Sequence, residues 1–239
     1  EDRASPLFNR LTHRIELQHW DFETLFEMFA AHEISDEGQQ LFLWTLFEGV
    51  PKFYRDCFEA GVLRPDPDYR LKTLQTLFFE GTSPLRDEAE NWFLRELRGR
   101  YDSVLKLLAS KGPCNNAELE AEYRRSGPGD EKQLGGYLKI LIEKYRMVER
   151  LQPIFSSTQA RKGRYYITDN FLAAWLGALA RNVQRSRVQP IDEAVGRADV
   201  SLATIEGIAF EKMIRLLTEE CSRKDIGDFQ VTEIVRGYW

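Results

Sequence analysis

Arg161, Lys162 and Arg164 close a polar stretch, Ser156-Ser-Thr-Gln-Ala-Arg161-Lys162-Gly163-Arg164, that is flanked on both sides by alternating apolar residues. Cations this close together at the tip of a hairpin can reach phosphate oxygens or a minor groove. Earlier in the chain Gln133, Tyr137 and Lys139 fall near the outward side of a segment whose inward side is Leu134, Leu138, Leu141, Ile142 and Tyr145. An amide, a phenol and an ammonium on one exposed helix face suit base edges and phosphates. With so few basic groups, the expected DNA binding is weak and mostly non-specific. A solvated basic loop on a protein-binding surface is the competing reading.

The elements that must carry these residues can be read in order. In Tyr101-Asp-Ser-Val104-Leu105-Lys-Leu-Leu108 the apolar positions recur at helical spacing, and Lys111-Gly112-Pro113 stops the run. Asn115 with Glu118 three positions later has the form of a capping box, opening a second short helix that reaches Arg125. Ser126-Gly-Pro-Gly129 breaks the chain, and a third helix follows from about Lys132 to Tyr145. Met147 to Ile154 and Arg164 to Ile167 are extended and bracket the basic tip. Three helices followed by a hairpin predict a winged helix over 101–185.

Around this unit the chain is mainly α. Asp21 is placed to cap a helix beginning Phe22-Glu-Thr-Leu25-Phe26, a second runs from about Asp36 to Phe47, and Pro51 starts a third carrying Phe53, Tyr54, Cys57 and Phe58. Tyr69–Phe79 and Pro84–Leu97 supply two more. Their aromatic stripes sit at helical spacing and belong to a core. Beyond the hairpin, Phe171–Leu179 predicts a helix packed back on the winged unit, and Leu202–Cys221 a last long helix. Arg14–Leu17 and Phe229–Tyr238 alternate like single strands, the latter with no partner expected in the chain.

The composition is that of an ordinary globular protein: 239 residues, 43% hydrophobic and 30% charged. No run of about 18 apolar residues appears, and the opening Glu1-Asp2-Arg3 lacks the pattern of a signal peptide. Both ends look cut from a longer protein. Cys57, Cys114 and Cys221 are odd in number and widely spaced, which suits a reducing cytoplasm and offers no zinc pattern. His13, His19 and His32 have no acidic or Cys partner at metal-ligand spacing. The net charge of −5 is uneven. Residues 1–100 hold 12 basic and 19 acidic side chains, a balance of −7, whereas residues 101–170 hold 12 and 9, a balance of +3. A positive centre in an acidic chain points to a polyanion partner there. No Gly-rich phosphate loop, magnesium-binding carboxylate strand or nucleophile elbow is present, so the chain itself offers no catalytic residues.

Several strings together resemble the C-terminal half of archaeal-type AAA+/STAND ATPases. They are Ser5-Pro6-Leu7-Phe8-Asn9-Arg10 with Arg14-Ile15-Glu16-Leu17 and Trp20-Asp21-Phe22; Gly49-Val50-Pro51-Lys52-Phe53-Tyr54; Tyr137-Leu138-Lys139-Ile140-Leu141 with Met147-Val148-Glu149-Arg150; Tyr166-Ile167-Thr168-Asp169-Asn170-Phe171-Leu172; and Gly207-Ile-Ala-Phe210-Glu211 with Arg236-Gly237-Tyr238-Trp239. The resemblance runs nearly end to end. It implies the end of an ATPase core over 1–20, a helical lid over 21–100, a winged helix-turn-helix domain over 101–185, and an incomplete α/β segment over 186–239 that starts a nuclease-like module. It also implies a P-loop domain, missing from this chain, that holds ATP and Mg. Arg10 matches a basic nucleotide-sensing position after the sensor strand, although Asn9 stands where the family favours Gly. Glu48 replaces the first Gly of the lid turn. Glu211 occupies the place of a helix carboxylate that assists magnesium in nuclease-like folds, but the acids expected on following strands are not here, so it stands without a metal site.

The expectation is therefore a cytoplasmic fragment that couples nucleotide state to a winged helix engaging DNA or a partner protein. The alternative is a stand-alone winged-helix transcription regulator or protein-interaction adaptor.

Overall fold

A computed structural model describes residues 18–81, 83–86, 88, 99–126, 133–154, 162–222, 225–226, 228–230 and 237. The fold is mainly helical with a small antiparallel sheet. Helix α1 (Phe22–Ala31) opens where the Asp21 carboxylate accepts the Thr24 amide at 2.9 Å, and α2 (Glu37–Phe47) opens where Asp36 accepts the Gln39 amide at 2.6 Å. Both acids satisfy amides that a helix start leaves without a partner. Every residue from Phe42 to Phe47 is buried, so α2 is the central rod of the front bundle. Pro51, whose missing N–H costs nothing in a first turn, begins α3 (Pro51–Glu59).

Helix α4 begins as Tyr69–Leu74 and continues as a π turn over Gln75–Phe79. The widened turn lets three consecutive residues, Leu77, Phe78 and Phe79, all face the core. The expected strand Arg14–Leu17 lies outside the described residues, as does most of the expected helix Pro84–Leu97.

The second unit comprises α5 (Arg100–Lys111), β1 (Cys114–Asn115), α6 (Asn116–Ser126), α7 (Leu134–Glu143), β2 (Val148–Leu151) and β3 (Arg164–Ile167). The Asn115–Glu118 box forms reciprocally: the Glu118 amide donates to Asn115 Oδ1 at 3.0 Å and the Asn115 amide to Glu118 Oε2 at 2.9 Å. The strands pair antiparallel in the order β1-β3-β2, with Val148 opposite Ile167, Leu151 opposite Arg164 and Cys114 opposite Tyr165. Strand β1 is an addition to the sequence reading, since two residues are too few to show a period.

Helix α8 is continuous through Asn170–Ala174, a π turn over Trp175–Leu179, and Ala180–Arg185. Helix α9 (Ile191–Glu220) starts well before the expected Leu202. Its first turns bury Ala194, Val195 and Ala198, a stripe of mostly small residues that carries little hydrophobic signal. Asp225–Ile226 (β4) pairs with Phe229–Gln230 (β5), which corrects the expectation that the segment from Phe229 has no partner in the chain.

Two cores result. One joins α1–α4 to α8 and α9; the other lies among α5, α6, α7 and the sheet. Helix α8 serves both. Phe171, Ala174 and Trp175 enter the front core, where Phe171 stacks on Phe53 at 4.6 Å between centroids, while Leu172 enters the rear core and Leu176 packs against each. Gly177 makes this crossing possible, because a Cβ there would lie 2.9 Å from both the Ala109 carbonyl oxygen and Ile205 Cδ1.

Candidate functional site

The residues expected to contact DNA are distributed over α7 and β3. Gln133 precedes α7 and is exposed, and its Oε1 accepts a hydrogen bond from the Tyr137 hydroxyl. The Tyr137 ring is half-buried and meets Tyr101 edge-on at 5.3 Å, so it flanks the outer face of α7. Lys139 is exposed one turn from Glu143, 4.0 Å away, which tempers the positive field of that face. Gly135 and Gly136 add open backbone beside these side chains, since nothing lies within 4 Å of a Cβ at either.

On the hairpin, Lys162 and Arg164 are exposed, while Arg161 lies outside the described residues. The structure adds Arg150 of β2 to the group. Its guanidinium lies over the Tyr165 ring at 5.9 Å and against Gly163, where a Cβ would approach Arg150 Nε to 2.4 Å. Cross-strand register brings Arg150 opposite Tyr165, and this pairing is not visible from sequence spacing.

Arg10 lies outside the described residues. Glu211 is exposed on α9 and lines a shallow recess with Glu149, Lys212 and Arg215. Among the described residues no group of three or more His, Cys, Asp or Glu side chains could hold a metal ion. Cys57 and Cys114 are buried, and burial pushes both thiols up, Cys114 to about 11, which suppresses the reactive thiolate.

The most elaborate polar arrangement was not anticipated. Glu48, in the turn between α2 and α3, is 5% exposed yet ion-paired to Lys212 of α9 and to His19 Nδ1 at 3.1 Å. Glu48 Oε1 also accepts the Asn170 amide at 3.1 Å. Lys212 Nζ further donates to the Thr168 carbonyl and to Asn170 Oδ1 at 3.2 Å, and Asn170 Nδ2 donates to the Trp44 carbonyl at 3.2 Å. The Glu48 carbonyl accepts the Tyr54 hydroxyl at 2.6 Å.

Burial alone would push Glu48 up. The His19 hydrogen bond and the Lys212 charge outweigh it and hold the carboxyl below its ordinary value. The same bond raises His19 against its own desolvation. Asp169, which caps α8 through the Leu172 amide at 2.6 Å, is pushed up to about 6 by burial first and then by the Glu48 charge. Three stretches distant in sequence are thereby tied at one point: the α2–α3 turn, the entry to α8, and α9. The sequence clue was available in Glu48, a charge set in the apolar turn Phe47-Glu48-Gly49-Val50.

Glu48 also adopts φ +48°, a conformation that favours glycine. Gly49 has its own reason: a Cβ there would lie 2.4 Å from the Trp20 carbonyl oxygen.

Among known proteins, the chain is 27% identical over 235 residues to an uncharacterized protein, MJECL04, of Methanocaldococcus jannaschii. The match covers 98% of this chain and 49% of that protein, so the chain spans about half the length of the curated relative it matches. No family model and no solved structure matches. Among the described residues no helix is long and apolar enough to cross a membrane.

Proposed function

We propose that this chain is the lid and winged-helix half of a P-loop ATPase, and that nucleotide state in a domain outside it repositions the winged helix on DNA. The observation that carries the reading is the division of α8 between the two cores, with Glu48, Asn170 and Lys212 bonded at its start. A lid displaced by nucleotide drags α8, and α8 drags the three-helix, three-strand unit. The strand order β1-β3-β2 and the basic hairpin are what a winged helix needs to set α7 and its wing against a duplex. The relative carries about as much sequence again beyond the matched stretch, which leaves room for the nucleotide-binding domain.

DNA binding is tested by titrating a duplex at several salt concentrations against the parent and an R161A/K162A/R164A variant. The log–log slope for the parent should be shallow, roughly −2 to −3, and the variant should lose most of its affinity and flatten the slope. Equal affinity of the two proteins at low salt would replace DNA with a protein partner. That second reading is favoured by Glu143 beside Lys139 and by the Tyr137 ring resting on Tyr101, which leave α7 a mixed rather than a basic face. The ATPase half of the proposal is tested upstream of Glu1 in the coding sequence, where a Gly-x-x-x-x-Gly-Lys-Ser/Thr is expected and a nearby start codon would overturn it.

A further inference from the structure

Between the end of α8 and the first half of α9 lies a cleft of about 550 Å3 that none of the foregoing uses. One wall presents Arg181, Asn182 and Arg185, and the other Gly196, Arg197 and Ser201. Arg185 is half-buried, yet among the described residues neither its guanidinium nor that of Arg181 has an ion pair, hydrogen bond or ring partner. A guanidinium partly withdrawn from water is ordinarily matched by an anion. The single carboxylate on the cleft, Glu193, faces Arg197 at 3.3 Å, which leaves the other two cations uncompensated. Asn182 supplies a second, independent sign. It is 5% exposed and donates Nδ2 to the Ala178 carbonyl at 2.8 Å, but its Oδ1 is buried without a partner. Such an orphaned acceptor is destabilising unless something donates to it.

We propose that this cleft binds a small phosphorylated molecule, its phosphate held by the forks of Arg181 and Arg185 and a hydroxyl or amino group of the same ligand reaching the Asn182 end. The cleft volume suits a sugar phosphate or mononucleotide. Two N–H groups of one guanidinium match two phosphate oxygens, and paired arginines on one wall hold a phosphate that a single exposed arginine would not. Gly196 keeps the opposite wall open, since nothing lies within 4 Å of a Cβ built there.

The test titrates the chain with inorganic phosphate, and separately with chloride at matched ionic strength, following the Arg Nε–H signals by NMR. Saturable shifts at Arg181 and Arg185 with phosphate alone are expected. The affinity should be at least about tenfold weaker in R181A/R185A, as expected for the loss of charge-assisted bonds. Gly196→Leu, which crowds the cleft while leaving every arginine in the sequence, should also abolish the shifts while its thermal midpoint is held or raised. The R161A/K162A/R164A variant should bind phosphate like the parent, which separates this site from the wing. Absence of saturable shifts, or phosphate binding undiminished in both R181A/R185A and Gly196→Leu, would overturn the proposal. So would a loss of duplex DNA affinity in R181A/R185A that phosphate does not compete with, since that would mark a track for nucleic acid instead.

Discussion

Lys212 and Glu48 lie 164 positions apart in sequence and meet as a buried ion pair in which the carboxylate sits on a left-handed backbone. Removing Glu48 leaves the Lys212 ammonium without its counter-ion, and removing Lys212 leaves the buried Glu48 carboxylate with His19 alone. Glu48→Ala and Lys212→Ala should each destabilise by about 3–5 kcal/mol in chemical denaturation, and the double variant by far less than their sum. Glu48→Gly should be milder than Glu48→Ala by about 1 kcal/mol, because only glycine takes that backbone without strain. Equal losses for Ala and Gly would show that the backbone conformation carries no cost.

The pH dependence follows from three groups at that point. Asp169, raised from 3.8 to about 6, contributes stability that is complete below its ordinary value and lost as pH rises through about 6. His19, also raised, gives stability present below 6.5 and lost as pH rises through its folded value. Glu48, lowered, gives stability present above 4.5 and lost as pH falls through its folded value. Thermal melts should therefore peak near about pH 4 and decline towards pH 8. Asp169→Asn keeps the helix cap but removes the buried charge, so it should be more stable than the parent at pH 7.5, by up to about 3 kcal/mol, by about half as much near pH 5, and by nothing below about pH 4. A melt profile for Asp169→Asn that parallels the parent across this range would refute the assignment.

Gly177→Ala sets two effects against each other. A helix gains up to about 1 kcal/mol from Ala in place of Gly, but the new methyl would meet the Ala109 carbonyl and Ile205 at 2.9 Å. Overpacking should win, for a net loss of about 1–3 kcal/mol. A neutral or stabilising result would mean that α5 and α8 slide apart freely.

Arg70 of α4 spans two carboxylates of α9, donating to Asp199 at 2.7 Å and to Glu206 at 2.7 and 3.1 Å, with its guanidinium 4.7 Å from the centre of the Phe42 ring. A lysine's single ammonium cannot reproduce this fork, in which three guanidinium nitrogens each meet a separate carboxylate oxygen. Arg70→Lys should lower the thermal midpoint nearly as far as Arg70→Ala, with a loss of about 1–2 kcal/mol in each. Full retention of stability in Arg70→Lys would reduce the fork to a simple charge.

Much of this architecture was legible in the sequence wherever a local rule sufficed. Asp21, Asp36 and the Asn115–Glu118 pair announced helix starts, and Pro51 announced another. The alternation of β2 and β3 was visible on either side of the basic tip. What escaped was set by partners far away in sequence. Strand β1 exists because β3 offers it an edge, and the early turns of α9 are helical because Ala194 and Ala198 fit beneath the front bundle. The Glu48 cluster was hidden for the same reason, since a lone charge in a turn reads as solvated until its counter-ion is placed.

The π turn at Trp175–Leu179 has a consequence for insertions and deletions. A π turn holds one more residue than the α turn it replaces, and each α-helical residue rotates the chain by about 100°. Deleting one residue there would restore a regular α turn and leave the helix faces on either side in register, because the wide turn has already absorbed the extra residue. Leu172 would keep its seat in the rear core and Arg181, Asn182 and Arg185 would still face α9. Relatives that preserve the cleft are therefore free to lose one residue at Trp175–Leu179, whereas a residue lost between Arg181 and Arg185 would turn one arginine away from the other by about 100°.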